Sequence, residues 1–307
     1  MGQIITVIAP LFLIIFASAI LQYFKLIGDD WSQVLNDYAL KIGFPVLIFS
    51  SLSKASFSFS EQAPLLISNS IFIIISFILA YIVGKIFRFN KQMLKTTFIC
   101  LAFGNVAYLG IPVLTQIKGA AILPIASLIV AIYLFWLFTI GIGFIDFENQ
   151  GSKKELFKNI LTNLVKNPLL IAVVLGLLMA SFGIKLPGIV TTSLDMVTAS
   201  VTPTVLIVIG LFIGKSKLGK ITEWIPVLLF SMVKIAILPA GFYFGLKFLG
   251  YSTPDYSPSL IQAAMPLAIT PFALADKYKL DKEFIARVIV LSTILAVVTL
   301  PLWISIV

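Results

Sequence analysis

The sequence predicts an all-α polytopic membrane protein: ten transmembrane helices in two inverted repeats of five, with broken crossing helices 4 and 9. Three observations predict it. Hydrophobic residues make up 60% of the chain and the mean hydropathy is +1.08, which excludes an ordinary soluble domain. Apolar runs of about 20 residues, the length that crosses a bilayer, recur along all 307 residues and leave no room for a separate soluble domain. Two of these runs are interrupted in their middle, the first by Gly and Pro and the second by Pro, at corresponding places in the two halves.

Taken in order, the apolar runs give spans at about 3–24, 33–53, 64–86, 93–116, 120–144, 167–184, 189–213, 221–248, 257–276 and 284–306. The first contains Ala17-Ser18-Ala19, which resembles a signal-peptide cleavage site. It lacks a positive n-region, however, and its apolar stretch is longer than a typical h-region, so it reads as a membrane helix. Charge then orients the chain. With the N-terminus outside, sixteen Lys and Arg fall on the cytoplasmic side, among them Arg88, Lys91, Lys95 and Lys217, against only Lys54, Lys118, Lys185 and Lys247 outside. That asymmetry is the positive-inside signature and places both termini outside a plasma (bacterial inner) membrane. The same distribution, in short loops between apolar runs, argues against nucleic acid as the reason for the formal charge of +9.

The halves match in register. Asp37 precedes Pro45 by eight residues in span 2, and Asp195 precedes Pro203 by eight in span 7. Span 3 opens Glu61-Gln62-Ala63-Pro64, and span 8 opens Glu223-Trp224-Ile225-Pro226. Five spans repeated twice require the second copy to be inverted, a common architecture of secondary transporters. The predicted organisation is residues 1–145 for the first repeat, 146–166 for a cytoplasmic linker with a surface helix, and 167–307 for the second repeat.

The breaks carry the chemistry. Span 4 contains Gly104, Asn105, Gly110 and Pro112; span 9 is interrupted over residues 262–273, with Pro266 and Pro271. Proline removes a backbone donor and its ring clashes with the preceding turn, and backbone freed in lipid must find partners in protein or in a water-filled cavity. Paired interruptions are therefore a pointer to a transporter binding site. Half-helix N-termini offer free N–H groups and a positive dipole end, so two opposed breaks can hold an anion with few charged side chains.

At these residues the sequence resembles the auxin efflux carrier family. The resemblance rests on Asn105 through Leu109-Gly110-Ile111-Pro112 and on Ala263-Ala264-Met265-Pro266 through Pro271 with Ala275 and Tyr278. Asn167-Pro168, Thr202-Pro203 with Gly210, and Ser292-Thr293 to Pro301 extend it over most of the chain. It implies a ten-helix fold, a homodimer formed through a scaffold subdomain, and a transport subdomain where spans 4 and 9 cross. It further implies that Asn105, Pro112 and Pro271 sit at the crossing around a carboxylate substrate, a small organic acid anion. The short central linker departs from the long hydrophilic loop of many plant members, so regulation through such a loop is not expected.

Asn105 brings an amide with two donors and an acceptor; its competing role is to satisfy the broken helix's own carbonyls. Gly110, Met265, Pro266 and Thr270 complete the expected substrate-binding set. Tyr108 offers a ring and a hydroxyl to a substrate, or simply packs. Lys234, in mid-span without an acidic residue three or four positions away, is a costly intramembrane cation and a charge candidate; its alternative is a tie to carbonyls of the break. Asp37 and Lys41, four apart, read as a local pair, and Asp195, without a cation on its own helix, as a proton or sodium candidate.

Coupling to a proton or sodium stays open, and no resident cofactor is expected. With no histidine and only Cys100, the chain offers no thiol pair, zinc motif or histidine-based catalytic set, so neither a metal site nor an enzyme is expected. A sodium/proton antiporter is the nearest alternative, and would need ionisable carboxylates beside the crossing. A channel or receptor is the more distant one.

Overall fold

A computed structural model describes residues 2–55, 59–148, 153–216, 219–220, 223–252 and 255–307. Lys217 and residues 149–152 of the predicted linker lie outside the described residues. Helix α1 (Gly2–Tyr23) is followed by α2 (Trp31–Tyr38) and α3 (Phe44–Ser53), continuous through a π-helical turn at Ala39–Gly43. Next come α4 (Phe59–Ile86), α5 (Lys91–Ala102), a π-helical turn at Val106–Gly110 and α6 (Ile111–Lys118). Helices α7 (Leu123–Trp136) and α8 (Ile142–Glu148) run together through a further π turn, and α9 (Lys153–Val165) lies ahead of α10 (Pro168–Ser181). The second half holds α11 (Gly188–Lys215), α12 (Trp224–Met232), α13 (Leu238–Phe248), α14 (Ser257–Ala263), α15 (Thr270–Tyr278) and α16 (Lys282–Ile306). Among the described residues six helical stretches are long and apolar enough to cross a membrane, and the rows of exposed isoleucines on α4 (Ile67, Ile71, Ile75, Ile78, Ile82) are what a lipid-facing surface requires. This is a multi-pass membrane protein.

Proline explains the π turns. Three of them end two residues before a proline: Gly43 before Pro45, Gly110 before Pro112 and Ile237 before Pro239. The proline ring cannot sit against the carbonyl four residues back, and one extra residue in the preceding turn relieves the clash. The carbonyl so released on Ile235 accepts a hydrogen bond from Trp303 Nε1 at 2.9 Å, which keeps it satisfied inside the bundle.

Two tight seams hold one side of the molecule. Helix α11 packs on α1 through Gly210 and Gly214, whose added Cβ atoms would stand 2.2 Å from the Ile15 carbonyl and 2.3 Å from the Ala19 carbonyl. This four-residue spacing of glycines lets two backbones approach to van der Waals contact. Helix α10 rests on α3 in the same way, with Gly176 facing Leu52 and the Phe49 carbonyl. On the other side α4 packs on α5 and α7, and α12 packs on α16.

Candidate functional site

The two interrupted spans meet at their breaks. Helix α5 stops at Ala102 because Phe103 turns extended, and Asn105 then opens the π turn that leads into α6. Helix α14 stops at Ala263, and residues 264–269 run unwound to α15. Gly104 and Leu267 form an antiparallel bridge across the gap. The Asn105 N–H donates to the Pro266 carbonyl at 2.7 Å, and the Ala268 N–H donates to the Phe103 carbonyl at 3.3 Å. Leu267 N–H is taken by Ser292 Oγ at 3.1 Å from α16. The unwound backbone is thus satisfied by the other break and by a serine, not by lipid.

Two lysines close helix ends nearby. Lys234, fully buried, donates from Nζ to the Leu101 carbonyl at 2.9 Å, at the last turn of α5. No carboxylate lies within ion-pair distance of it among the described residues. A cation at a helix C-terminus meets the negative end of the dipole, so the tie to broken-helix carbonyls is present. Lys95 is the second of these. Counted from the sequence as a cytoplasmic-side charge, it lies inside α5, is buried, and donates to the Tyr278 carbonyl at the end of α15 at 3.1 Å.

What the crossing leaves unpaired is neutral. Asn105 is 2% exposed, and its Nδ2 has no partner among the described residues. Gln262 is fully buried, and neither its Oε1 nor its Nε2 has one. The Gln262 side chain lies against Gly110, where an added Cβ would stand 2.0 Å from Oε1. Asn105 opens the turn that Gly110 closes, and its carbonyl accepts from the Gly110 N–H at 2.9 Å and the Leu109 N–H at 3.2 Å. The two carboxamides therefore bracket a single turn. Gln262 was not among the residues picked from sequence; an uncharged amide in an apolar span, one turn before a break, was the signal available.

The remaining expected residues divide. Met265 and Pro266 are buried at the crossing beside Gly104 and Asn105; Pro112 and Pro271 start α6 and α15, and Thr270, half-buried, opens α15. Tyr108 is engaged elsewhere: its hydroxyl donates to Asn36 Oδ1 at 2.7 Å, and its ring meets Phe44 edge-on at 5.1 Å. Asp37 and Lys41 pair with each other at 2.7 Å, with both side chains largely exposed. Asp195 is not without a cation: Lys54 of the neighbouring chain segment pairs with it, and Ser50 Oγ donates to it at 3.4 Å. Lys54 and Asp195 line a cavity of about 820 Å³ with Ser50, Gln62, Thr115 and Thr198, between the α3–α11 pair and the α6–α7 corner.

Spans interrupted in a contacting pair, with unpartnered amides buried at the contact, define a membrane protein of the transporter class. A family profile described as membrane transport protein matches residues 3–304, and the chain belongs to that family, which includes the auxin efflux carriers. An uncharacterized transporter of Methanocaldococcus jannaschii is 26% identical over 293 residues, covering 92% of each chain. One of Methanothermobacter thermautotrophicus is 27% identical over 311 residues, covering 99% of this chain and 98% of the relative. Both point to a transporter rather than an enzyme.

Proposed function

We propose that the protein is a secondary transporter moving a small organic anion, a carboxylate, which binds where spans 4 and 9 cross. The observation that carries this is the set of buried, unpartnered amide groups, Asn105 Nδ2 and the Gln262 carboxamide, at a contact of two unwound segments. Donors buried without acceptors are costly, and a carboxylate supplies the acceptors. The helix starting at Val106 and α15 both direct their N-terminal ends at the crossing, adding free N–H groups and two positive dipole ends. Lys234, one hydrogen bond away on Leu101, supplies positive charge to the same region. Met265, Pro266, Thr270 and Pro271 shape the rest of the site, with Gly110 and Pro112 opposite.

The reading includes ten spans in two inverted repeats, and the crossing supports it. Leu267 stands 163 positions after Gly104 (267 − 104). The Asn105-to-Pro266 and Ala268-to-Phe103 bonds are those any antiparallel bridge makes; what supports the repeat is that the two interrupted spans meet at their breaks. Spans 2 and 7 give a similar result with the offset of 158 that relates Asp37 to Asp195: Gly43 faces Val201, its own counterpart. In this reading α1, α2–α3, α10 and α11 form a scaffold, through which a homodimer assembles, and the rest moves against it. The cavity at Lys54 and Asp195 is the approach from one side. Both termini lie outside the plasma membrane. Efflux of an anion is favoured by the membrane potential at about 2.3 kcal/mol per charge per 100 mV and needs no coupling ion; uptake needs a proton or sodium.

Sodium/proton exchange finds less support, because residues 91–145 and 257–275 contain no Asp or Glu. The test is thermal stability of the purified protein against mono- and dicarboxylates, with and without sodium, at two pH values. A ligand that binds the folded state raises the midpoint. A rise with one acid, lost in Asn105→Ala, is the expected result. A response to sodium or pH with none to any acid overturns the carboxylate reading.

A further inference from the structure

Helix α9 (Lys153–Val165) is unlike the spans around it. It is joined to α10 by a two-residue link, and the two axes bend by 57°. Its inner side rests on α8: Leu156, Ile160 and Leu164 are half-buried, and the Ile160 tip lies 3.6 Å from where a Cβ on Gly143 would stand. Asn159 Nδ2 donates to Asp146 Oδ2 at 3.2 Å, which fixes the rotation of the helix about its axis.

With that rotation fixed, a second apolar stripe faces away from the protein. Phe157, Leu161 and Val165, each four residues from the next, are 67%, 50% and 63% exposed. The 3.6-residue turn places Lys154 and Lys158, both exposed, along the edge of this stripe, whereas Glu155 projects to the opposite, polar side. An apolar stripe bordered by lysines is the pattern of a helix lying in a membrane interface, its apolar side about 5–10 Å deep and its cations at the phosphates. The covalent geometry agrees. Exposed Ile171, Val174, Leu175 and Leu178 mark α10 as lipid-facing, and a helix tied by two residues to the end of such a span is held at bilayer-surface level.

We infer that α9 is an anionic-lipid contact: Phe157, Leu161 and Val165 enter the headgroup boundary while Lys154 and Lys158 bind lipid phosphates of the negatively charged cytoplasmic leaflet. This inference is independent of what the crossing carries. Because α9 leads directly into α10, it couples the lipid surface to the helix packed on α3.

The test uses the intact chain, whose single cysteine, Cys100, is buried. An environment-sensitive thiol dye is placed at Leu161→Cys, or at Glu155→Cys as the polar-side control, in nanodiscs of zwitterionic lipid with or without phosphatidylglycerol. The expected result is blue-shifted emission and protection from iodide at position 161 that increase with phosphatidylglycerol, while position 155 is quenched in both lipids. Lys154→Glu combined with Lys158→Glu removes the dependence on lipid charge. Equal quenching at 161 and 155 in both lipids makes α9 a solvated linker and overturns the inference. Protection at 161 that ignores both lipid charge and the lysine substitutions overturns the anionic contact.

Discussion

The crossing and the charged rim handle polarity in opposite ways. At the rim, Asp37 pairs with Lys41 and Asp195 pairs with Lys54, so each ion has its counter-ion. At the crossing there is no carboxylate, yet the amides of Asn105 and Gln262 are buried without partners. Burying an unpaired polar group costs free energy that packing elsewhere has to offset. On the proposed reading, this contrast places the hydrogen-bonding guest at the crossing and not at the rim.

The largest effect that would break this contrast belongs to Asn105. Its Nδ2 bonds none of the described residues, so Asn105→Ala leaves no orphaned partner for that atom, and the unfolding midpoint without ligand stays close to wild type. A hydrogen bond to a charged acceptor is worth about 1.5–3 kcal/mol, so acid affinity falls roughly 10- to 100-fold. Titrating the stabilising acid against midpoint in both proteins checks both halves. A variant that unfolds early but binds normally would reassign Asn105 to holding the break together.

Gly110 sharpens the same comparison. A methyl group there would stand 2.0 Å from Gln262 Oε1, so Gly110→Ala displaces the amide or strains the turn, with overpacking costing about 1–3 kcal/mol. Adding Gln262→Ala removes the obstacle. The double variant should therefore be more stable than Gly110→Ala alone, a coupling read directly by a double-mutant cycle in thermal unfolding. Transport should remain lost, since the amide is gone. Additive stabilities would mean that Gln262 does not rest on Gly110 in the folded protein.

How much of this could be read from sequence follows from the range of the interactions involved. The span 9 break was legible because Pro266 and Pro271 disrupt helices through their own covalent structure, whereas in span 4 Pro112 marks the π turn and the break itself falls earlier, at Phe103–Asn105. The Asp37–Lys41 pair was legible because four residues is one helical turn. Gln262 against Gly110, Lys54 beside Asp195 and Lys95 on Tyr278 were not, since each joins side chains more than 130 positions apart. Lys234 fell between: its position in mid-span announced a need for a partner, but only the fold names the Leu101 carbonyl. Lys95 shows the same limit: a lysine near a span end normally snorkels to water, and only the fold shows that the end of α15 offers it a carbonyl inside.

Lys54 and Asp195 are partly exposed, so screening limits what their pair contributes to about 0.2–1 kcal/mol. Asp195→Asn should lower the unfolding midpoint only slightly. Because both residues line the 820 Å³ cavity, a change in the rate of acid uptake or release at unchanged equilibrium affinity is the expected functional trace, and it should weaken as salt is raised. Stopped-flow binding at two ionic strengths measures it. A large loss of affinity instead would move the binding site from the crossing to the cavity.

The smallest effect is expected at Asp37 and Lys41, and it is the most discriminating about coupling. An exposed pair four residues apart contributes about 0.3–0.5 kcal/mol, so Asp37→Asn with Lys41→Gln should be near neutral for stability. If the guest is recognised by amides and helix ends, transport by this variant should keep its dependence on pH and sodium, whatever that dependence is. A pH or sodium response that disappears with the pair would make the rim part of the energy coupling. The inverted relation between Asp37 and Asp195 would then mark a second, charged function laid over the same repeat.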